Sequence, residues 1–371
     1  MPNVMMKGIS KAFGSIVALR DVNLDVHEGE YLSIVGPSGC GKTTLIKAIA
    51  GIVKPDDGDV YIDGRPVTAL PIEDRGVGYV FQEIALFPQM TVRENVSYGP
   101  MVKGVPPERA RGQVMEMLEM MSLSDRASSS PHELSGGARQ KTAVARALAS
   151  GSSLLLLDEP LGSLDLKVRT ALRYEIRELV KDLGLTAIHV THDQEEALSI
   201  SDRVAVMKAG GIVEVGLPRE LYMRPRRLFT AKFLGEANFM EGKIVESARG
   251  EYIVEVVGLR LRAQSVAESE LRVGGAVVLA IRPEFIGIVG RGNGSKLNRV
   301  GATVKSVAFA GDVEKYEVET ENGIGLTVKH LPSLGGAEIK SGDDVLIEIR
   351  RDHLLVYKYP EDGLERELSL E

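Results

Sequence analysis

The sequence predicts a chain in two parts: a mostly parallel α/β sheet over residues 1–235 and a small all-β, barrel-like domain over residues 236–371. Three observations carry that expectation. Strand-like and helix-like patterns alternate through the first part. One strand there runs straight into a glycine-rich turn that opens a helix. From about Phe239, short alternating runs between glycine turns replace the helices. The length of 371 residues exceeds the usual span of one domain and agrees with two.

In chain order, Glu30–Val35 reads as a short buried strand and Thr43–Ala50 as a helix stopped by Gly51. A helical subdomain is expected over about 90–150. Within it, Val114, Met117, Leu118 and Met121 fall at helical spacing on the stretch Pro106–Met121. That stripe reads as a core-facing one. A sharper alternative is an adaptable methionine groove for a partner helix. Ser128–Pro131 reads as a loop. Leu154–Leu157 reads as a second buried strand, Leu166–Leu183 as a helix, and Ala187–Val190 as the next strand. In the second part, Tyr252–Val257, Val277–Ile281, Lys315–Glu319 and Val345–Ile349 read as strands, and Glu361–Glu371 as a frayed acidic tail.

Composition narrows the class. Hydrophobic residues at 44% and charged residues at 26% are ordinary for a globular chain. The lone cysteine, Cys40, excludes an internal disulfide framework and fits a reducing compartment. A formal net charge of -7 argues against a general nucleic-acid binder. The start, Met1–Lys7, lacks the apolar core of a signal peptide, so no leader is expected. The most apolar stretch, 271–290, is broken by Arg282, Pro283 and Glu284, so no spanning helix is expected and any membrane role must come through a partner.

Gly36-Pro37-Ser38-Gly39-Cys40-Gly41-Lys42-Thr43 fits the P-loop pattern, between a predicted strand and a predicted helix. Its glycines let backbone N–H groups turn inward around phosphates, and the helix N-terminus adds partial positive charge. Lys42 would reach the β- and γ-phosphates of ATP, and Thr43 would hold Mg²⁺. Leu154–Leu157 then leads into Asp158-Glu159 at a strand end, where α/β sheets hold their ligands. Asp158 is the candidate for Mg²⁺ and Glu159 for the general base that polarises the attacking water.

Leu134-Ser135-Gly136-Gly137-Ala138-Arg139-Gln140, ahead of a predicted helix, resembles the LSGGQ signature of the ABC ATPase family, with Ala138 where glutamine is commonest. A Ser-capped helix after a glycine turn would explain the capping but not the order of the other motifs. The resemblance covers residues 4–235 and implies an α/β P-loop NTPase with a helical signature subdomain. It assigns Phe13 to adenine stacking, Thr44 to the nucleotide, and Gln82 to Mg²⁺ and to sensing the membrane partner. It makes Asp165 in Gly162-Ser-Leu-Asp165 the D-loop residue and His192 the switch histidine at the γ-phosphate. It further implies a head-to-tail dimer with a second copy, in which Ser135, Gly136 and Gly137 complete the partner's ATP site.

The second part resembles the OB-like TOBE accessory domain of binding-protein-dependent importers through Ala280-Ile-Arg-Pro-Glu284, Phe309-Ala-Gly-Asp312 and Tyr316. That likeness implies an importer ATPase at the cytoplasmic face of the membrane. Its partners would be two transmembrane permease subunits and, indirectly, an extracytoplasmic solute-binding protein, with no nucleic acid. Phe233–Phe239 and Ser163–Lys167 resemble the polyamine-type branch; sugar, sulfate, molybdate and ferric iron are the other small solutes of the group. A DNA-repair ATPase would need long coiled-coil arms, and the interval between Thr43 and Leu134 has no sustained heptads. A translation-factor protein would need two ATPase halves, and a P-loop kinase leaves the signature unexplained.

Overall fold

The computed structural model describes residues 1–248, 251–265, 271–289, 298–332 and 339–370. The chain divides into two compact units, Met1–Pro218 and Arg219–Leu370.

In the first unit, β1 (Val4–Phe13) and β2 (Ile16–Val26) make a hairpin, and β3 (Tyr31–Val35) runs toward α1 (Lys42–Ala50). After β4 (Asp57–Ile62), β5 (Arg65–Pro66) and β6 (Val77–Val80) come the helices α2 (Val92–Val102), α3 (Pro107–Met120) and α4 (Gly136–Ala149). Next come β7 (Leu154–Asp158), α5 (Leu166–Asp182), β8 (Thr186–Thr191), α6 (Gln194–Ile200), β9 (Arg203–Lys208) and β10 (Gly211–Gly216). The central sheet has the order β10-β9-β3-β8-β7-β6 and is parallel except for β10. A separate antiparallel sheet, β2-β1-β4-β5, adds a layer that the apolar patterns did not single out.

The central strands are apolar throughout because both faces are covered. Leu154 and Leu156 of β7 join Leu32, Ile34, Leu45 and Ile188 in one core, under α1 and the antiparallel sheet. Leu155 and Leu157 enter a second core with residues of α2 to α5. The stripe on α3 belongs to that second core: Val114, Met117, Leu118 and Met121 are all buried, so the core-facing reading holds for those four. Met115 and Met120 lie on the other side of the same helix and are exposed.

Arg75 ties the phosphate-loop helix to the chain that leads into β6. Its guanidinium is buried, and Nη1 donates to the Ala48 and Ile49 carbonyls at 2.9 and 2.8 Å, at the C-terminal end of α1. Nε donates to Leu70 O at 2.9 Å and Nη2 to Thr68 O at 3.0 Å. A cation at that end also suits the helix dipole.

The second unit begins at Arg219 rather than at the expected 236, because two short helices, Pro218–Met223 and Leu228–Phe233, pack on its strands. Leu228 shares an apolar cluster with Val278, Ala280, Leu355 and Tyr357. The buried Arg282 guanidinium stacks 3.8 Å from the Tyr222 ring and donates to the Tyr222 and Glu236 carbonyls at 2.8 and 3.2 Å. The all-β expectation holds, with more sheet than one barrel needs. Asn238–Ala248, Glu251–Val256, Leu259–Ser265, Leu355–Lys358 and Ala276–Ile281 close a five-stranded barrel in that order. A five-stranded antiparallel sheet (286–289, 344–349, 299–309, 314–320, 325–330) shares its core.

The acidic end is not frayed over its described length. Leu364–Leu368 forms a short helix whose two leucines rest on the Leu228–Tyr357 cluster; Glu371 lies outside the described residues. Among the described residues, no helix is long and apolar enough to cross a membrane.

Replacing Arg75 by Met should destabilise the first unit by about 2–4 kcal/mol, since four charge-assisted bonds are lost, two of them to the buried Ala48 and Ile49 carbonyls. Arg75→Lys should recover only part of this, because an ammonium lacks the planar fork. The measurement is the urea midpoint of the intact chain; an unchanged midpoint in Arg75→Met would refute this role.

Candidate nucleotide site

The phosphate loop joins β3 to α1. Its glycines answer to space and conformation. A Cβ on Gly36 would stand 2.3 Å from the Met207 carbonyl oxygen. Gly41 caps α1 at φ +105, where its Cβ would stand 2.2 Å from Ala18 O. The helix begins at Lys42, one residue earlier than the sequence suggested. Ser38 and Gly39 form the exposed tip of the loop, Pro37 is half-buried behind them, and Thr44 follows Thr43 in the first turn. The Lys42 ammonium is buried and donates to the Gly36 and Pro37 carbonyls at 2.8 and 2.9 Å, which keeps a desolvated charge satisfied. Beside it, Cys40 Sγ lies 3.9 Å from Lys42 Nζ. Burial pushes the Cys40 thiol up in pKa, against the pull of Lys42, so it stays protonated.

Asp158 ends β7 and is buried. Thr43 Oγ1 donates to its Oδ1 at 3.1 Å, and Tyr79 OH donates to its Oδ2 at 2.8 Å. Burial, followed by the Asp158 charge, pushes the Tyr79 phenol far up in pKa, so it keeps its proton and donates it to Asp158. Tyr79 had no role in the sequence reading. Its signal was weak, because an aromatic in a short strand is an ordinary β-former.

Glu159 is next and sits at φ +45, in the left-handed region that a non-glycine residue seldom enters. Such strain costs about 1–3 kcal/mol and collects at functional sites. Its N–H donates to Val190 O at 2.9 Å, which staples the end of β7 to the end of β8. Its Oε2 accepts from Gln82 Nε2 at 3.2 Å and lies 3.0 Å from His192 Nδ1. Lys42, Thr43, Asp158, Glu159, Gln82 and His192 thus come from four segments to one edge of the sheet. Gln82, expected at Mg²⁺, donates to Glu159.

Ser135, Gly136 and Gly137 form a second grouping. Ser135 caps α4, accepting from the Ala138 N–H at 3.3 Å. Asp165 caps α5, accepting from Val168 N–H at 3.0 Å. The two helix starts touch: Cβ atoms on Gly136 and Gly137 would stand 3.0 Å from Leu164 and 2.8 Å from Val168. Further along α4, Arg146 donates to Ala85 O at 2.7 Å and lies 5.3 Å from the Phe87 ring, tying this helix to the segment after Gln82. Sequence reading missed that link. Phe13, at the β1–β2 turn, is 51% exposed beside exposed Ile16 and Val17, so it is not a core aromatic.

With this geometry in hand, likeness to known proteins becomes specific. The ABC transporter family matches residues 19–162, and the TOBE domain family matches residues 279–356. The Fe(3+) ions import ATP-binding protein FbpC of Brucella abortus (strain 2308) is 42% identical over 321 residues, 86% of this chain and 89% of that protein. The spermidine/putrescine import ATP-binding protein PotA of Rubrobacter xylanophilus is 40% identical over 355 residues, 95% of this chain and 93% of that one. Among solved structures, a dimeric post-hydrolysis state of the ATP-binding cassette MJ0796, bound to ADP and Pi, matches with a TM-score of 0.52 and 34% identity, covering 58% of this chain and 99% of that one. This chain therefore belongs to the ABC transporter family, as an ATP-hydrolysing, ATP-binding protein of the importer type with a TOBE domain.

Proposed function

We propose that the first unit hydrolyses ATP at a site completed by a second copy of the chain, and that this drives import through separate membrane subunits. The observation that carries the reading is the strained Glu159, bonded to Gln82 and facing His192, next to the Thr43–Asp158 pair. In this reading Glu159 takes the proton of the attacking water. Its Oε2 is already aimed at the two side chains that would report on the phosphate, Gln82 and His192. Lys42 exchanges its two loop carbonyls for phosphate oxygens, and Phe13, half exposed with Lys11 Nζ 5.4 Å from its ring centroid, stacks on adenine. The Thr43 hydroxyl and the Asp158 carboxylate are hard oxygen donors, 3.1 Å apart, and fit Mg²⁺. With the nucleotide bound, that ion would neutralise charge on the transferred phosphoryl group.

Ser135, Gly136 and Gly137 stand on a different helix start from the phosphate loop, which suits a role in the partner's site. A signature offered in trans makes the γ-phosphate the glue of the dimer. Differential affinity for that phosphate is what lets ATP shift the open–closed equilibrium. The dimeric state of the MJ0796 cassette supports the same reading.

The docking surface for the membrane subunits is a groove of about 660 Å³ along α2 and α3, with Met101, Val105, Pro106, Ala110 and Met115 on its walls. Met101 is 63% exposed and Met115 46%, the adaptable apolar lining that a short helix would cover. Through Arg146 and Ala85, α4 reaches the segment after Gln82, so a push on this region can arrive at the site. The assembly would sit on the cytoplasmic face of the membrane and receive cargo from an extracytoplasmic binding protein. The proposed cargo is a polyamine-type solute, as for the Rubrobacter relative, with ferric iron, as for the Brucella relative, the second reading.

Glu159→Gln should retain ATP while turnover falls at least about 100-fold, the ordinary worth of a general base. Single-turnover hydrolysis measures it, and near wild-type turnover would rule out Glu159 as the base. In the groove, Met115→Glu should abolish stimulation of hydrolysis by the membrane subunits. It should leave the isolated chain's rate within about twofold, because an exposed side chain carries little stability. Unchanged stimulation in reconstituted membranes would exclude the groove as the docking site.

A further inference from the structure

A buried polar chain lies behind the His192 loop, and phosphate chemistry makes no use of it. Tyr31 opens β3, His189 lies in β8 and Glu196 in α6, and each is at most 3% exposed. Tyr31 OH is 3.0 Å from His189 Nδ1. His189 Nε2 is 3.5 Å from Glu196 Oε1. The other carboxylate oxygen, Glu196 Oε2, accepts from Thr191 Oγ1 at 2.6 Å, and that hydroxyl accepts from the Asp193 N–H at 3.0 Å. Asp193 Oδ1 in turn accepts from the Glu196 N–H at 3.0 Å. Both neighbours of His192 are therefore tied to Glu196.

Burial decides where the protons sit. It raises the Tyr31 pKa well above the usual phenol range, with Glu196 adding to the effect and Arg177 opposing it, so the hydroxyl keeps its proton and donates. It lowers the His189 pKa against the opposing pull of Glu196, Glu159 and Asp193, so the ring is neutral. A neutral imidazole that accepts at Nδ1 carries its single proton on Nε2. That proton faces Glu196 Oε1. Among the described residues, neither His189 Nε2 nor Glu196 Oε1 makes any hydrogen bond. At 3.5 Å they stand just outside bonding distance of each other, in a place where an unmade bond is costly.

We propose that Tyr31, His189 and Glu196 form a positioning relay that fixes the Thr191–His192–Asp193 loop, so that His192 is held against Glu159 and the γ-phosphate. The relay begins on β3, the strand that delivers the phosphate loop, and ends on the loop that carries His192. It makes the placement of the switch depend on the phosphate-loop strand. None of the three residues touches nucleotide; they act through His192, and the proposal rests on reading His192 as the γ-phosphate contact.

The test compares Tyr31→Phe, His189→Phe, His189→Gln and His192→Ala in the full-length chain, by ATPase kcat and KM with thermal unfolding alongside. A displaced switch costs rate rather than ground-state binding, so kcat should fall about 10-fold to 100-fold in His189→Phe and about 3-fold or more in Tyr31→Phe, with KM for ATP within about twofold. His189→Gln should restore most of kcat, since its amide oxygen can accept from Tyr31 and its NH₂ can donate to Glu196. Wild-type kcat in Tyr31→Phe and in folded His189→Phe, with His192→Ala inactive, would overturn the relay and leave the switch reading standing. Normal turnover in His192→Ala would instead remove the switch reading, and the relay with it. Should His189→Phe fail to fold, Tyr31→Phe decides alone, because it deletes one hydroxyl and keeps the ring.

Discussion

One backbone hydrogen bond, from the Glu159 N–H to the Val190 carbonyl at 2.9 Å, marks where two neighbouring strands stop being a ladder and become a site. It holds Glu159 in a left-handed conformation that its side chain would otherwise avoid. It also brings the end of β7 alongside the turn that carries His192. The parallel sheet supplies the rest of the constraint. With β3, β7, β8 and β6 running the same way, the phosphate loop, the two carboxylates, His192 and Gln82 all emerge at one edge. A carboxyl-end edge of this kind is where α/β sheets bind ligands.

That edge was legible in the sequence for a simple reason. Strands buried on both faces read as unbroken apolar runs, and the residues just past such a run stand at the strand's end. Leu154–Leu157 announced Asp158 and Glu159 in that way, and Glu30–Val35 announced the phosphate loop. Spacing could not disclose contacts between distant segments. Tyr31 and His189 are 158 residues apart, and each alone looks like an ordinary strand residue. Tyr79 hid for the same reason, and so did Arg146, whose partner Ala85 lies 61 residues away. The methionine stripe divided by face: Val114, Met117, Leu118 and Met121 went to the core, and Met115, one position along, went to the surface.

The second unit shows where pattern reading loses resolution. Alternating strands predicted a barrel but could not say that, among the described residues, ten strands would share one core as a barrel and a sheet. The boundary moved for a physical reason. Arg282 is buried against Tyr222 and the Glu236 carbonyl, which draws the preceding helices into the β unit. The acidic end was misread because charge outweighed two well-spaced leucines, Leu364 and Leu368, that find an apolar seat.

If a second copy completes each ATP site, as proposed, the hydrolysis rate of a chain depends on its assembly state. The most direct measurement is ATPase rate per chain over a dilution series, with light scattering on the same samples. The rate per chain should fall steeply as scattering passes from dimer to monomer. A rate per chain that stays flat on dilution, while scattering reports monomers, would contradict it.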